Sequence, residues 1–132
     1  MKVFVNGTFD LVHRGHLELL AYAASLGSVL VAIDADSRVK QLKGDDRPIM
    51  RQEDRWLLLS SLRTVERAVI FRTDEQLEDI IREHQPDIMV KGSDYKDKPI
   101  IGSQHCKKIV FFDLLEQHST TKMIQAIKAR NQ

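Results

Sequence analysis

Cysteine is almost missing from this chain: Cys106 is the only one in 132 residues. That excludes an internal disulfide and any multi-cysteine metal site, suits a reducing compartment, and leaves the lone thiol a packing role. An excess of charge of either sign is also lacking, because 20 Lys+Arg against 19 Asp+Glu leave +1 with His neutral. No net field is available to hold nucleic acid or an anionic membrane surface, so any bound anion must meet a local cluster. No apolar run approaches the roughly 18 residues that cross a bilayer, and the opening MKVFVNGTFD lacks the charged-then-apolar layout of a secretory signal. A cytosolic protein that contacts no membrane and no nucleic acid is expected. Repeats, low-complexity tracts and interdomain linkers are absent as well.

What the chain does contain is ordinary globular composition, 42% apolar and 30% charged, in a length that suits one domain spanning 1–132. Val3, Phe4 and Val5 form a short apolar run ending at Asn6-Gly7, and Val29 to Ile33 form a second after Gly27. Between them Leu17, Leu20, Ala21, Ala24 and Leu26 recur at helical spacing, and Gly27 stands where a left-handed C-cap is expected. The alternation continues. Trp56, Leu57, Leu59 and Leu62 predict a helix starting near Gln52, and Leu77, Ile80 and Ile81 one after Thr73-Asp74. Met123, Ile124 and Ile127 give the last helix its stripe, while 68–71, 88–90 and 109–112 read as strands. Five apolar strands alternating with about four helices predict a doubly wound α/β fold, a mostly parallel sheet with helices on both faces. Ligands of such folds bind beyond the carboxyl ends of the strands, so the loops after strands are the places to search. The segments 34–50 and 92–107 show no clear core pattern.

The first such loop carries the chemistry. Gly7 permits close backbone approach, Thr8 offers a hydroxyl, and the following helix start supplies N–H groups and a positive dipole end suited to phosphate. His13 and His16 lie three apart around the turn into that helix and can point the same way, with Gly15 between them. Imidazole donors strengthen as negative charge builds in phosphoryl transfer. A zinc site is the weaker reading, because His84, His105 and His118 show no ligand spacing relative to the pair.

Gly7-Thr8-Phe9-Asp10 followed by His13-Arg14-Gly15-His16 resembles the GTFD-x-x-H-x-G-H signature of the cytidylyltransferase-like nucleotidyltransferase family, whose members have a Rossmann-like fold. His118-Ser119-Thr120-Thr121 resembles the end of that family's second signature, and the likeness covers nearly the whole chain. Val39 to Ile49, Glu53-Asp54-Arg55, Val90 to Lys96 and Ile101-Gly102-Ser103 are most similar to the adenylyltransferase domain that makes ADP-heptose. Glycerol-3-phosphate cytidylyltransferases share the plan, but Leu114 and Gln117 stand where the Arg and Gly of their second signature would be.

The resemblance implies an enzyme that joins the nucleotidyl group of ATP or CTP to a sugar or polyol phosphate with release of pyrophosphate. Mg²⁺ is expected with the nucleotide, and a homodimer is implied by family habit. Thr8, His13 and His16 would contact the phosphates, together with the Gly7, Phe9, Asp10 and Gly15 positions of the motif. Lys40 and Lys43 are candidate mobile cations in the segment after the second strand, with Lys40 favoured; the bland alternative is a solvated basic face. Arg55 is assigned to phosphate by family position, against an ordinary helix salt bridge. Lys91, Gly92 and Asp94 would lie near base and ribose, and Asp94 is nearly as well explained as a turn former. Ser119, Thr120 and Thr121 combine an N-cap with a triphosphate site, since both use the same N–H groups. Asp10 is either a Mg²⁺ partner or a loop holder. Two other classes compete: a nucleotide-binding regulatory module without turnover, and a nucleic-acid binder using its scattered lysines, which the charge balance and lack of an aromatic platform oppose.

Overall fold

A computed structural model describes residues 1–113 and 119–131. His118, Leu114 and Gln117, singled out in the sequence, lie outside the described residues. Five strands, β1 (Lys2–Gly7), β2 (Ser28–Asp34), β3 (Arg67–Phe71), β4 (Ile88–Gly92) and β5 (Lys108–Phe112), form one wholly parallel sheet in the order β3-β2-β1-β4-β5. The chain winds outward from β1 through β2 to β3, then crosses back to β4 on the other side of β1. The order therefore reverses between β1 and β4, and a crevice opens beyond their carboxyl ends.

Alternate residues of β1 serve opposite faces: Val3 and Val5 join a core with Leu20, Val31, Leu59 and Val90, whereas Phe4 joins Phe71, Leu77, Ile81 and Met89. Helix α1 (Arg14–Leu26) covers the first face with Leu19, Leu20 and Ala23, and α4 (Asp74–His84) covers the second with Leu77 and Ile81. Thr73 caps α4 by accepting from the Gln76 N–H at 3.0 Å. The last helix, α5 (Thr120–Arg130), has no fully buried residue among those described; its Met123 and Ile124 are half-buried and Ile127 is exposed.

Three details depart from the sequence reading. The patternless stretch contains a helix, α2 (Asp36–Lys43), which buries only Val39 and has no side-chain N-cap, so neither periodicity nor capping announced it. The helix α3 (Gln52–Ser60) is where Trp56 and Leu57 predicted it, yet those two are exposed, and Arg55 with Leu59 forms the buried stripe. Trp56 rests on the edge, donating from Nε1 to the Ala68 carbonyl at 2.8 Å.

Gly27 is not the expected left-handed cap. Its backbone is extended, at φ 162 and ψ −161, and the reason for glycine is space: a Cβ there would lie 2.3 Å from the Met1 carbonyl oxygen. That same carbonyl accepts from the Ser28 N–H at 2.9 Å, so the contact sets the entry of β2 beside β1. Gly27→Ala is expected to lower stability by about 1–3 kcal/mol through forced displacement of backbone. Thermal unfolding followed by circular dichroism measures this, and an unchanged midpoint would show that the N-terminus yields freely.

Candidate active site

The turn leaving β1 is held in an uncommon shape. Phe9 and Leu11 both adopt positive φ, 53° and 51°, on either side of Asp10. The Phe9 ring is buried and folds back under Gly7, where a Cβ would come within 3.1 Å of it. Gly7 thus makes room for an aromatic ring rather than only for a ligand. Asp10 is 1% exposed, and its carboxylate accepts from the Ile49 N–H at 2.7 Å and the Met50 N–H at 2.9 Å. Its backbone carbonyl accepts from the Thr120 hydroxyl. Of its two expected roles, Asp10 performs loop holding: it ties the β1 corner to the segment before α3 and to the start of α5.

His13 is the N-cap of α1, and the two histidines cap reciprocally. His13 Nδ1 accepts from the Gly15 N–H at 3.0 Å, and His16 Nδ1 accepts from the His13 N–H at 3.1 Å. An accepting Nδ1 carries no proton, so each neutral ring bears its hydrogen on Nε2. The ring centroids are 3.9 Å apart, and the Phe9 ring supports His16 at 5.0 Å. Burial, followed by the nearby His13 and Lys43, pushes the His16 pKa down from 6.5 to about 4. Protonating Nδ1 would also break its capping bond. His16 is therefore a neutral donor at physiological pH.

Both rings line a cavity of about 630 Å³ at the carboxyl end of the sheet, where the strand order reverses. Gly7, Thr8, Phe9, Asp10 and Gly15 contribute its floor, and Ser119, Thr120 and Thr121 enter from the start of α5, where Ser119 caps by accepting from the Lys122 N–H. Lys43, Lys91, Gly92 and Asp94 complete the set of predicted residues on its wall. Burial pushes the ammonium groups of Lys43 and Lys91 below their ordinary range, with the Arg47 charge adding to the effect on Lys43. The Lys91 ammonium sits 4.6 Å from the Tyr95 ring centroid, a cation–π contact. The Thr8 hydroxyl donates to Asp34 Oδ2 at 3.0 Å, so its proton is committed to the protein and a ligand meets it only as an acceptor.

A model of the cytidylyltransferase-like family matches residues 4–129. The chain belongs to that family. It is a nucleotidyltransferase. The cytidylyltransferase-like chain is 46% identical over 128 residues to the bifunctional protein HldE of a Nitratiruptor species, covering 96% of this chain and 28% of that protein. The HldE proteins of Campylobacter concisus and Helicobacter pylori are 46% and 44% identical over 127 residues, each covering 96% of this chain and 27% of the relative. This chain thus spans little more than a quarter of the length of the curated relatives it matches. The lipopolysaccharide core biosynthesis protein of Thermoplasma volcanium has a crystal structure that matches with a TM-score of 0.71 at 27% identity, covering 88% of this chain and 98% of that one.

Two predicted residues of this nucleotidyltransferase stand away from the cavity wall. Lys40 is exposed on α2 one turn before Lys43, and Lys43 is the lysine that reaches the cavity. Arg55, expected on phosphate, is 0% exposed. Its Nη1 donates to the carbonyls of Thr8 at 2.9 Å and Asp34 at 2.8 Å, its Nε to that of Met50 at 2.9 Å, and its Nη2 to Asp36 Oδ1 at 2.8 Å. The side chain is a strut between loops rather than a ligand contact. Conversely, the sequence reading missed Asn6, Asp34, Arg38, Arg47 and Tyr95, all on the cavity wall. Asp34 closes β2 and accepts from Arg38 Nε at 2.8 Å as well as from Thr8, an arrangement that only the hidden helix α2 creates. Among the described residues no group of three His, Cys, Asp or Glu is placed to hold a metal ion, and the oxygens of Asp10 and Asp34 are already engaged.

Arg55→Ala leaves three carbonyls and a carboxylate without their donor, and is expected to cost about 3–5 kcal/mol of stability with or without substrate. Urea unfolding reads this directly; a variant of unchanged stability with weaker nucleotide binding would instead restore the phosphate role. For His16, the folded pKa of about 4 lies below the unfolded 6.5, so its stabilising contribution is complete above pH 6.5 and disappears as pH falls toward 4. The upper bound is about 3 kcal/mol. The stability difference between the parent and His16→Gln should shrink across that window, and a pH-independent difference would contradict it.

Proposed function

We propose that this domain transfers the adenylyl group of ATP to a sugar 1-phosphate, with heptose 1-phosphate as acceptor and ADP-heptose as product. The observation that carries this reading is the 46% identity to an HldE protein over 96% of the chain. In the reaction an acceptor phosphate oxygen attacks the α-phosphorus in line, the bond from that phosphorus to the α–β bridging oxygen breaks, and pyrophosphate leaves with the electron pair. The acceptor phosphate is already ionised at neutral pH, so no general base is required. His13 and His16 present Nε2–H donors as charge spreads over the phosphate oxygens, and Lys43 supplies positive charge beside them. The start of α5 at Ser119, Thr120 and Thr121 favours the polyphosphate through its exposed N–H groups and dipole. Lys91, Gly92 and Asp94, at the end of β4, form the wall assigned to nucleoside. Mg²⁺ enters as part of the nucleotide substrate, held chiefly by phosphate and water oxygens, and supplies charge neutralisation on the phosphates.

Pyrophosphate release is the test, crossing ATP and CTP with heptose 1-phosphate and glycerol 3-phosphate. The expected outcome is turnover with ATP and the heptose, and preference for CTP with glycerol 3-phosphate would overturn the sugar assignment. Folded His13→Ala and His16→Ala variants should lose about 10²–10³ in kcat. Turnover within a few-fold of the parent would refute the imidazole role.

A further inference from the structure

Two arginines that contact the β1 corner, Arg55 and Arg47, are both largely buried and otherwise opposite in character. Arg55 has all its contacts inside the protein. Arg47, whose side chain is 12% exposed, makes no side-chain hydrogen bond among the described residues, and its Nε is a buried donor without a partner. Its one ion pair among the described residues is to Asp10, at 3.5 Å between Nε and Oδ2, and that carboxylate is already occupied by the Ile49 and Met50 N–H groups. A guanidinium whose Nε is buried and unsatisfied is costly, and such a group in a native protein calls for an explanation, here an acceptor that the protein itself does not supply. Arg47 stands on the cavity wall with Lys43, His13 and His16. It is near enough to Lys43 for its charge to lower that ammonium's pKa, behind the effect of burial.

The backbone around Arg47 is tied down. Its own N–H donates to the Gly44 carbonyl at 3.2 Å, and the next two N–H groups after Pro48 are fixed by Asp10. Asp10 also receives the Thr120 hydroxyl on its carbonyl, which joins the Arg47 loop to the start of α5. We infer that Arg47 binds the polyphosphate chain of the nucleotide in the cavity that the start of α5 also lines, and that Asp10 is its positioning residue. This rests on the nucleotidyl-transfer reading of the cavity but not on the identity of the acceptor. A guanidinium offers the bidentate fork that phosphate oxygens match, whereas the ammonium of Lys43 acts as a point charge.

The experiment is calorimetric titration of the whole chain with inorganic tripolyphosphate, alongside steady-state pyrophosphate release, for the parent, Arg47→Ala and Arg47→Lys. Arg47→Ala should weaken tripolyphosphate about 10- to 100-fold, the loss expected for charge-assisted bonds. Arg47→Lys should recover part of it. Arg47→Lys keeps a cation beside Asp10 and should unfold at the parent's midpoint without ligand, whereas Arg47→Ala loses that ion pair, so its binding is read at a temperature where circular dichroism shows it folded. Tripolyphosphate affinity within twofold of the parent in Arg47→Ala overturns the inference, as does an effect confined to the KM of the acceptor. Those results leave the adenylyl-transfer reading standing if turnover persists. Conversely, lost tripolyphosphate binding in a chain that accepts no heptose 1-phosphate sustains Arg47 and removes the heptose.

Discussion

A single planar cation fixes the spacing of the loops from which the candidate site is made. Arg55 Nη1 bridges the carbonyl after β1 and the last carbonyl of β2, while Nε and Nη2 reach the segment before α3 and the first residue of α2. Carbonyls at strand ends have no neighbour in the ladder, and burying them without donors is unfavourable. The guanidinium satisfies them together and is itself satisfied by four acceptors, the condition under which a buried charge is tolerated. Asp10 extends the same logic one residue pair onward, from the corner to the Arg47 loop and to α5. Two buried ionic residues thus position groups that come from four separate parts of the chain.

On this frame the histidine pair converts a helix terminus into a pair of side-chain donors. The Gly15 N–H and the His13 N–H are satisfied by the rings themselves, so these two backbone donors do not face a ligand. The rings receive that positive end on Nδ1 and carry their own hydrogen on Nε2. Because the orientation of each ring is set by its capping bond, little reorganisation would be needed as charge develops on phosphate in the proposed reaction, and preorganised donors are the effective ones. The spacing of one turn, with glycine between, is what lets both rings cap the same helix.

The legible part of this architecture is the part encoded in local pattern. Strand alternation, the histidine spacing and the Ser119-Thr120-Thr121 start of α5 each depend on residues close in sequence, and so the sheet, the cavity and most of its wall were readable. Arg55 was misread because its acceptors lie as far as 47 residues away, and a cation in a helical stripe ordinarily faces water. Lys40 and Lys43 could not be separated without α2, whose single buried residue hides its phase. Once that helix exists, Lys43 at its last residue lies one turn beyond Lys40 and reaches the cavity wall, which Lys40 does not. Gly27 shows the same limit: its neighbour across the sheet is Met1, a contact of tertiary origin.

The charge pattern of the cavity follows from a chain with almost no net charge. Lys43, Arg47, Arg38 and Lys91 gather on one cavity, and without substrate they would repel one another. Asp34 and Asp10 offset part of that repulsion, and both are immobilised by hydrogen bonds. If His16 were also cationic at rest the free site would be further destabilised, and its burial keeps it neutral. A neutral ring can still donate one hydrogen bond, and in the proposed reaction that bond to phosphate would strengthen as negative charge accumulates on the oxygens. Under the proposed transfer reaction that interaction is stronger in the transition state than in the bound ground state.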